Sequence, residues 1–158
     1  MESIQTMLGD IPVAIWTDFN HIFGLPKYET SGASGMDVRA NKDVVVFPNC
    51  TTLVPTGIFV SIPEGYEIQV RPRSGLSLKT PLRVANSPGT IDHDFRGEIC
   101  IIVHNVHQTE RLEISIGDRI AQMVLSKVPK IEWVPLINKD ELNNSTRGDG
   151  GFGHTGIN

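Results

Sequence analysis

Hydrophobic and polar positions follow a strand-like pattern through most of the chain. In segment 66–71, apolar and polar side chains alternate, as in a strand that buries one face. Apolar runs with the length of strands occupy Val44–Phe47, Cys50–Ile62, Gly97–Val106 and Arg119–Val128. Short strands separated by glycine and proline predict an all-β sandwich or barrel.

Turn residues divide this pattern and suggest the limits of the domain. Pro55 and Gly57 interrupt the second apolar run and predict a turn or bulge. One helical turn is expected just before Asn143, where the composition becomes polar and glycine-rich. We therefore predict a loose leader over residues 1–10, a core over 11–142 and a mobile tail over 143–158.

Composition narrows the class of protein. The 158 residues suit one domain, and 39% hydrophobic with 20% charged residues is typical of a globular protein. A net charge of −4 weighs against binding to duplex nucleic acid, which usually needs a basic surface. No apolar run is long enough for a membrane span, and the first residues do not predict a signal peptide. Cytoplasm is the expected location.

The two cysteines, Cys50 and Cys100, are far apart in sequence, and both lie in apolar runs. This position predicts buried free thiols in a reducing compartment. His104 and His107 have the spacing of a zinc-binding pair, but no glutamate accompanies them and no helix is expected there. A zinc site is therefore not favoured.

The glycine-rich segment at the end of the chain poses a separate question. Its letters GFGHTG, Gly151–Gly156, match the dinucleotide-binding pattern G-x-G-x-x-G. That pattern needs a following helix and a second strand, and only two residues follow here, so we do not expect a Rossmann unit. A Walker loop is excluded because no lysine with serine or threonine follows the glycines.

Two segments carry residues suited to phosphate chemistry. Arg71–Leu78 collects arginines, serines and a glycine at a strand end, which indicates an anion site or a solvated basic turn. Asn86–Ile99 is expected to form a hairpin with a polar tip. On a strand, Asp92 and Asp94 would face the same side and could act as a general base and its partner. The alternative is a pair of turn aspartates that bond to their own backbone.

Five segments, in order, carry a family resemblance: SGMDVRA, RPRSGLS, GTIDHDFRGEI, GDRIAQM and RGDGGFGHTG. Together with the connecting text, the chain resembles the trimeric dUTP pyrophosphatase (dUTPase) family over residues 22–156. The resemblance implies a distorted jelly-roll or β-barrel of the dUTPase type, assembled as a homotrimer with shared active sites. It also implies Mg²⁺-assisted hydrolysis of dUTP to dUMP and pyrophosphate, which lowers dUTP and supplies dUMP for thymidylate synthesis.

The resemblance also implies roles for single residues. Asp92 would activate the water that attacks the α-phosphorus, Gln122 would hold phosphate or a metal-bound water, and Asp37 would support this region by charge pairing. Mg²⁺ would be held through the triphosphate and waters, without a direct protein ligand. The residues expected to contact substrate are Arg73, Ser74, Gly75, Asn86, Gly89, Thr90, Ile91, Phe95, Arg147, Phe152, Gly153 and His154.

The chain departs from the family pattern at two of these positions. Phe95 stands where the family usually has tyrosine, and His154 where it usually has serine. The stacking face of the ring is kept, and an imidazole can still donate to phosphate. Two other functions stay open: a dCTP deaminase-like enzyme and a catalytically silent nucleotide-binding regulator. The aspartate at position 92 and the form of the arginine motif argue against the deaminase.

Overall fold

The computed structural model describes residues 9–18, 23–143 and 145–150. Over these residues the chain forms ten strands, one short α-helix and one 3-10 helix. The strands are β1 Ala14–Thr17, β2 Met36–Arg39, β3 Val44–Val46, β4 Thr51–Ser61, β5 Tyr66–Arg71, β6 Leu82–Val84, β7 Gly89–Ile91, β8 Ile99–Asn105, β9 Leu112–Ile114 and β10 Arg119–Lys127. The helix α1 is Ser74–Lys79, and the 3-10 helix is Lys139–Glu141.

The strands form two four-stranded sheets and one two-stranded sheet, with every neighbouring pair antiparallel. The first sheet has the order β1-β4-β8-β6 and the second β2-β10-β5-β7, while β3 pairs with β9. Buried residues from both large sheets join in one core, for example Ile101 of the first and Val70 of the second. The prediction of an all-β sandwich or barrel is confirmed.

The predicted strand patterns are also confirmed. Along β8, buried and half-buried residues alternate, so that Ile99, Ile101 and Val103 are fully buried. In β5, Ile68 and Val70 enter the core while the polar residues between and beside them remain more exposed. This alternation follows from the period of two residues in a strand.

The bulge predicted in the second apolar run is present in β4. The register with β8 shifts between Pro55 and Ile58, and Gly57 has a positive φ of 68°. A Cβ at Gly57 would collide with the side chains of Asp18 and Asn41. Only glycine meets both conditions, so this position has a structural reason for its residue.

Two expectations about local structure, a hairpin over Asn86–Ile99 and the burial of both cysteines, were wrong. Asn86–Ile99 is not a simple hairpin, because β7 pairs with β5 in one sheet while β8 pairs with β4 and β6 in the other. Cys50 is exposed and Cys100 is half-buried in the single chain, since Cys50 precedes β4 and Cys100 alternates with the buried residues of β8. Burial and the nearby Glu98 raise the pKa of the Cys100 thiol.

Two further observations complete the fold. The helix α1 was not predicted from the sequence, since its six residues bury no side chain and so show no helical apolar pattern. The helical turn expected before Asn143 is present as the 3-10 helix Lys139–Glu141. In the part of the chain that the structure describes, we find no helix of the length and apolarity needed to cross a membrane.

Candidate active site

A carboxylate held between two arginines marks one edge of the second sheet. Arg73 Nε lies 2.7 Å from Asp37 Oδ1, and Arg119 Nη1 lies 3.2 Å from Asp37 Oδ2. Arg73 Nη1 also donates to the backbone oxygen of Arg119 at 3.3 Å. We call these three residues the Asp37 cluster.

The strands bring the Asp37 cluster together for local reasons. Asp37 lies on the edge strand β2, Arg73 follows the end of β5, and Arg119 begins β10. The pairing of β10 with β2 shifts between Arg119 and Ala121, and a bulge of this kind re-aims the side chain next to it. With two guanidinium groups on one carboxylate, the cluster keeps a net positive charge and suits a phosphate group.

Gln122 lies beside the Asp37 cluster on β10. It is opposite Asp37 on one side and Arg71 on the other, and its Nε2 donates to the oxygen of Pro72 at 2.9 Å. A Cβ at Gly35 would come within 2.7 Å of Gln122 Oε1, so this glycine leaves room for the amide. The amide group is thereby fixed with its oxygen as the acceptor for an outside donor.

Ser74 and Gly75 form the start of α1, directly after Arg73, and both are exposed. The first backbone N–H groups of a helix have no partner within the helix. Their position next to Arg73 adds donors to the same side of the molecule. Arg71, the last residue of β5, is exposed, and among the described contacts its side chain donates only to Gln69.

The segment from Asn86 to Ile91 lies at the opposite edge of the same sheet. Gly89, Thr90 and Ile91 form β7, which pairs with β5 on one side only. A Cβ at Gly89 would lie 3.1 Å from Asn86 Nδ2 and 3.3 Å from Val70 Cβ, so the amide of Asn86 packs on this strand. An edge strand presents backbone N–H and C=O groups that can pair with a planar partner.

Asp92 and Asp94 follow β7 in a turn, so of the two alternatives the structure places them in a turn and not on a strand. The turn is closed through the main chain, where the backbone N–H of Phe95 donates to the oxygen of Asp92 at 3.2 Å. Both aspartates are exposed. Phe95 is 41% exposed, and its ring lies against Gly97.

Within one chain, the Asp37 cluster and Asp92 lie apart. The strands β2 and β7 are the two edges of a four-stranded sheet, so about 14 Å separates them across the sheet. Ile91 is opposite Ile68, whereas Gln122 is opposite Arg71, which adds roughly 10 Å along the strands. One chain therefore does not bring these groups to the same phosphorus atom.

Comparison with known proteins gives the same family over most of the chain. The family model described as dUTPase matches residues 22–156. A deoxyuridine 5'-triphosphate nucleotidohydrolase from Finegoldia magna is 54% identical over 134 residues, covering 84% of this chain and 91% of the relative. The chain belongs to the dUTPase family.

Solved structures of dUTPases agree with this fold. The Staphylococcus bacteriophage 80alpha dUTPase with dUPNHPP matches with a TM-score of 0.81 at 26% identity, covering 92% of this chain and 99% of the other. A dUTPase mutant from phage phi11 of S. aureus, described with a structural Mg(II) ion, matches in fold with a TM-score of 0.72 at 22% identity. It covers 82% of this chain and 99% of that one. The fold is therefore the jelly-roll-like β-fold of the dUTPase type.

Of the predicted tail of this dUTPase-family chain, residues 143–158, the structure describes residues 143 and 145–150. Arg147 is exposed, and its Nε donates to the oxygen of Gly150 at 2.6 Å. Lys139 pairs with Asp149 at 3.3 Å on the surface. Phe152, Gly153 and His154 lie outside the described residues, so their predicted contacts remain predictions.

Sequence reasoning did not assign a role to Arg119, which the structure places in the Asp37 cluster. Its position in GDRIAQM, three residues before Gln122, was the available signal, but a charged residue in a turn is too common to stand out. The histidines form local contacts: His104 Nδ1 lies 3.0 Å from Thr51 Oγ1, and His107 Nδ1 accepts from the backbone of Glu110. Across the described residues, no group of three or more His, Cys, Asp or Glu could hold a metal ion.

Proposed function

We propose that this protein hydrolyses dUTP to dUMP and pyrophosphate. Membership of the dUTPase family over residues 22–156 is the observation that carries the proposal. The relative from Finegoldia magna bears the corresponding enzyme name, and the phage 80alpha dUTPase was solved with a dUTP analogue. The geometry of the Asp37 cluster and the edge strand β7 supports the assignment residue by residue.

Asp92 acts as the general base. Its exposed carboxylate, in the turn after β7, accepts a proton from a water whose oxygen attacks the α-phosphorus. The bond from that phosphorus to the bridging oxygen breaks, and pyrophosphate leaves with the electron pair. The protein forms no covalent bond to the substrate in this reaction. Its contribution is to position the water and the triphosphate and to stabilise the negative charge on the phosphate oxygens.

The base and sugar are recognised around β7. The unpaired edge of β7, formed by Gly89, Thr90 and Ile91, pairs with the edge of uracil, and Asn86 supports this strand from beside Gly89. The strand β7 and the turn that follows it form a closed pocket, which leaves room for uracil and excludes larger or methylated bases. Phe95 lies under the deoxyribose, where its ring blocks a 2′-hydroxyl.

The triphosphate lies against the other edge of the sheet, on a neighbouring chain. Arg73 is oriented by Asp37 and joins Ser74 and Gly75 in holding phosphate oxygens. Gln122 presents its amide oxygen to a water of the triphosphate region. Asp37 supports the site by charge pairing and needs no contact with the substrate.

Mg²⁺ is the proposed cofactor. Both oxygens of Asp37 are already paired with arginines, and the amide oxygen of Gln122 suits a water ligand, so the residues present fit an ion held by the triphosphate and by water. When bound there, Mg²⁺ neutralises charge on the phosphate oxygens. The phi11 relative, described with a structural Mg(II) ion, supports the choice of metal.

The active enzyme is a homotrimer with shared sites. The separation between Asp92 and the Asp37 cluster supports a site in which one chain supplies the base and the next supplies the phosphate contacts. A ring of identical chains repeats such a contact three times. The chain is divided into a leader at 1–10, a core at 11–142 and a tail at 143–158, whose Arg147, Phe152, Gly153 and His154 close over the nucleotide.

In the cell, this activity lowers dUTP and supplies dUMP for thymidylate synthesis. The partners are the nucleotide, pyrophosphate and two further copies of the chain, without nucleic acid or membrane. Cytoplasm is the proposed location because the substrate is a free nucleotide.

A single assay separates this function from its rivals. Purified protein is incubated with dUTP or dCTP and Mg²⁺, and dUMP, pyrophosphate and deaminated nucleotide are measured. We expect dUMP and pyrophosphate from dUTP, and no deamination of dCTP. Deamination would favour the dCTP deaminase-like enzyme, and tight dUTP binding without either product would favour the silent regulator.

A further inference from the structure

Gly97 is half-buried and leaves no room for a side chain of its own. A Cβ built at Gly97 would lie 2.6 Å from Cζ and 3.0 Å from Cε2 of Phe95. Carbon atoms in contact are normally about 3.5 to 4 Å apart. The ring of Phe95 therefore rests in the space that any other residue at position 97 would fill.

The backbone of Gly97 does not explain the choice of glycine. Gly57 and Gly117, with φ of 68° and 89°, need glycine for their conformation, but Gly97 has no such positive φ. What Gly97 supplies is the absence of a side chain at the Cζ end of the ring. Its nearest neighbour is Cζ of Phe95, the ring atom at which a tyrosine would carry its hydroxyl.

The ring can move without loss of the fold. Phe95 is 41% exposed, and Cζ is the far end of a side chain that rotates about two bonds. A methyl group at position 97 would displace Cζ by about 1 Å to restore an ordinary contact. The displacement changes the position of the ring and leaves the core untouched.

We infer that Gly97 is a positioning residue that sets the depth of the Phe95 ring under the sugar of the nucleotide. The inference rests on the proposed function, since it takes Phe95 as the surface beneath the deoxyribose. A ring displaced by about 1 Å no longer meets the sugar at its original depth, and a misplacement of this size can cost up to about 100-fold in rate. Gly97 thus acts through Phe95 and touches no substrate itself.

Gly97→Ala is the direct test, with Gly32→Ala as the matched control. Gly32 is exposed, has no atom within 4 Å of a built Cβ, and lies outside the proposed site. We expect Gly97→Ala to lower kcat/KM for dUTP by about 10- to 100-fold, with an unchanged melting temperature. Gly32→Ala should match the parent in both measurements.

A double-mutant cycle separates positioning from a general structural role. With Phe95→Ala as the background, there is no ring for the methyl group to meet, so adding Gly97→Ala should change kcat/KM by less than about twofold. An equal loss in both backgrounds, or no loss in either, would overturn the inference. A crystal structure of Gly97→Ala should show Phe95 Cζ displaced from its position in the parent.

The test remains decisive if the proposed function fails. Should the parent not hydrolyse dUTP, binding of dUMP measured by calorimetry replaces the rate, and the same cycle is repeated. Weaker dUMP binding for Gly97→Ala that disappears in the Phe95→Ala background supports the inference without turnover. A ring that stays in place, or dUMP binding that does not respond, overturns it.

Discussion

Asp37 orients Arg73 through a 2.7 Å contact between Oδ1 and Nε, although the two residues are 36 positions apart. Its other oxygen holds Arg119, so one carboxylate fixes two guanidinium groups. The side chains of Asp37 and Arg73 are only 20% and 26% exposed, which reduces the screening of their charges by water. An arginine held in this way keeps its remaining N–H groups in a fixed direction for an anion.

Replacing Asp37 by asparagine should therefore lower kcat/KM for dUTP by about tenfold. The variant gains positive charge, which favours the triphosphate by at most ~1 kcal/mol at a partly exposed site. Loss of the orientation of Arg73 is the larger effect, because misplaced phosphate contacts cost up to about 100-fold. Steady-state kinetics at constant ionic strength measures the net result of the added positive charge and the lost orientation of Arg73.

The control for Asp37→Asn is Glu113→Gln. It removes the exposed ion pair between Glu113 and Arg111, whose atoms lie 2.9 Å apart on the surface. Exposed pairs contribute little, so kinetics and stability should stay near those of the parent. Equal losses from both variants would mean that charge removal in general, and not the orientation of Arg73, lowers the activity.

Asp92→Asn should keep nucleotide binding and lose turnover by at least about a hundredfold. The amide has the shape of the carboxylate but cannot take the proton from water. Binding of a non-hydrolysable dUTP analogue by calorimetry and kcat from released pyrophosphate measure the two properties. Asp10→Asn, an exposed change of the same charge, serves as the control, and near-parent kcat for Asp92→Asn would refute the role of the base.

Phe95 should be sufficient to select the sugar, because the ring itself fills the space of a 2′-hydroxyl. We expect kcat/KM for UTP to be far below that for dUTP in the parent, and Phe95→Ala to narrow the difference. Phe95→Tyr adds only the hydroxyl and should leave the selectivity within about threefold of the parent, since the stacking area is the same. Comparable rates for UTP and dUTP in the parent would show that the missing hydroxyl was needed.

Asn105 is predicted to be important for stability without contacting substrate. It is fully buried, donates from Nδ2 to the oxygens of Val46 and Glu110, and accepts at Oδ1 from the backbone of His107. Asn105→Ala leaves these groups unpaired and should lower the free energy of unfolding by about 3 kcal/mol. Urea unfolding at one fixed protein concentration measures it.

The exposed Gln108 gives the comparison for Asn105. Its Nε2 lies 3.3 Å from the backbone oxygen of Val106 and donates to it in an exposed hydrogen bond. Because water can replace this bond, Gln108→Ala should change the free energy of unfolding by less than ~0.5 kcal/mol. A loss for Asn105→Ala as small as this would contradict the account of its buried hydrogen bonds.

The sequence predicted most of the sheet structure because local patterns determine it. The alternation in β5 and β8 and the bulge at Gly57 are properties of short segments, and the structure confirms them. The pairing of β7 was mistaken, since a three-residue strand carries no sign of which sheet it joins. The outward direction of Cys100 was missed because an apolar run hides the two-residue alternation.

The candidate site was proposed mainly from the family resemblance and only partly from physical reasoning. The order of five motifs pointed to Asp37, Arg73 and Gln122 as candidates. No local pattern indicated that Asp37 would pair with Arg119 or that the Phe95 ring would lie against Gly97. These contacts depend on strand register, the bulge in β10 and the turn after Asp92. Such features arise from the whole fold and leave no signal in a short segment.

The tail should act on a neighbouring chain. Arg147 suits the γ-phosphate end and Phe152 the face of uracil, and ordering the glycines around them costs entropy that only bound nucleotide offsets. Deleting residues 147–158 should leave a folded trimer that binds dUTP weakly and turns it over far more slowly. Size-exclusion chromatography and steady-state kinetics check both expectations.

Mixing two inactive proteins tests this action between chains directly. The tail-deleted chain keeps Asp92, and full-length Asp92→Asn keeps the tail, so refolding them together lets a base on one chain meet a tail from another. A site recovers only if the chain that supplies its base is the tail-deleted one and the chain that supplies its tail is Asp92→Asn. With equal amounts and random assembly, about a quarter of the sites meet both conditions. The control replaces the second protein by a tail-deleted Asp92→Asn chain, which supplies no tail and should restore nothing. If mixed trimers verified by native mass spectrometry stay inactive while each parent is folded, the tail does not close a neighbouring site.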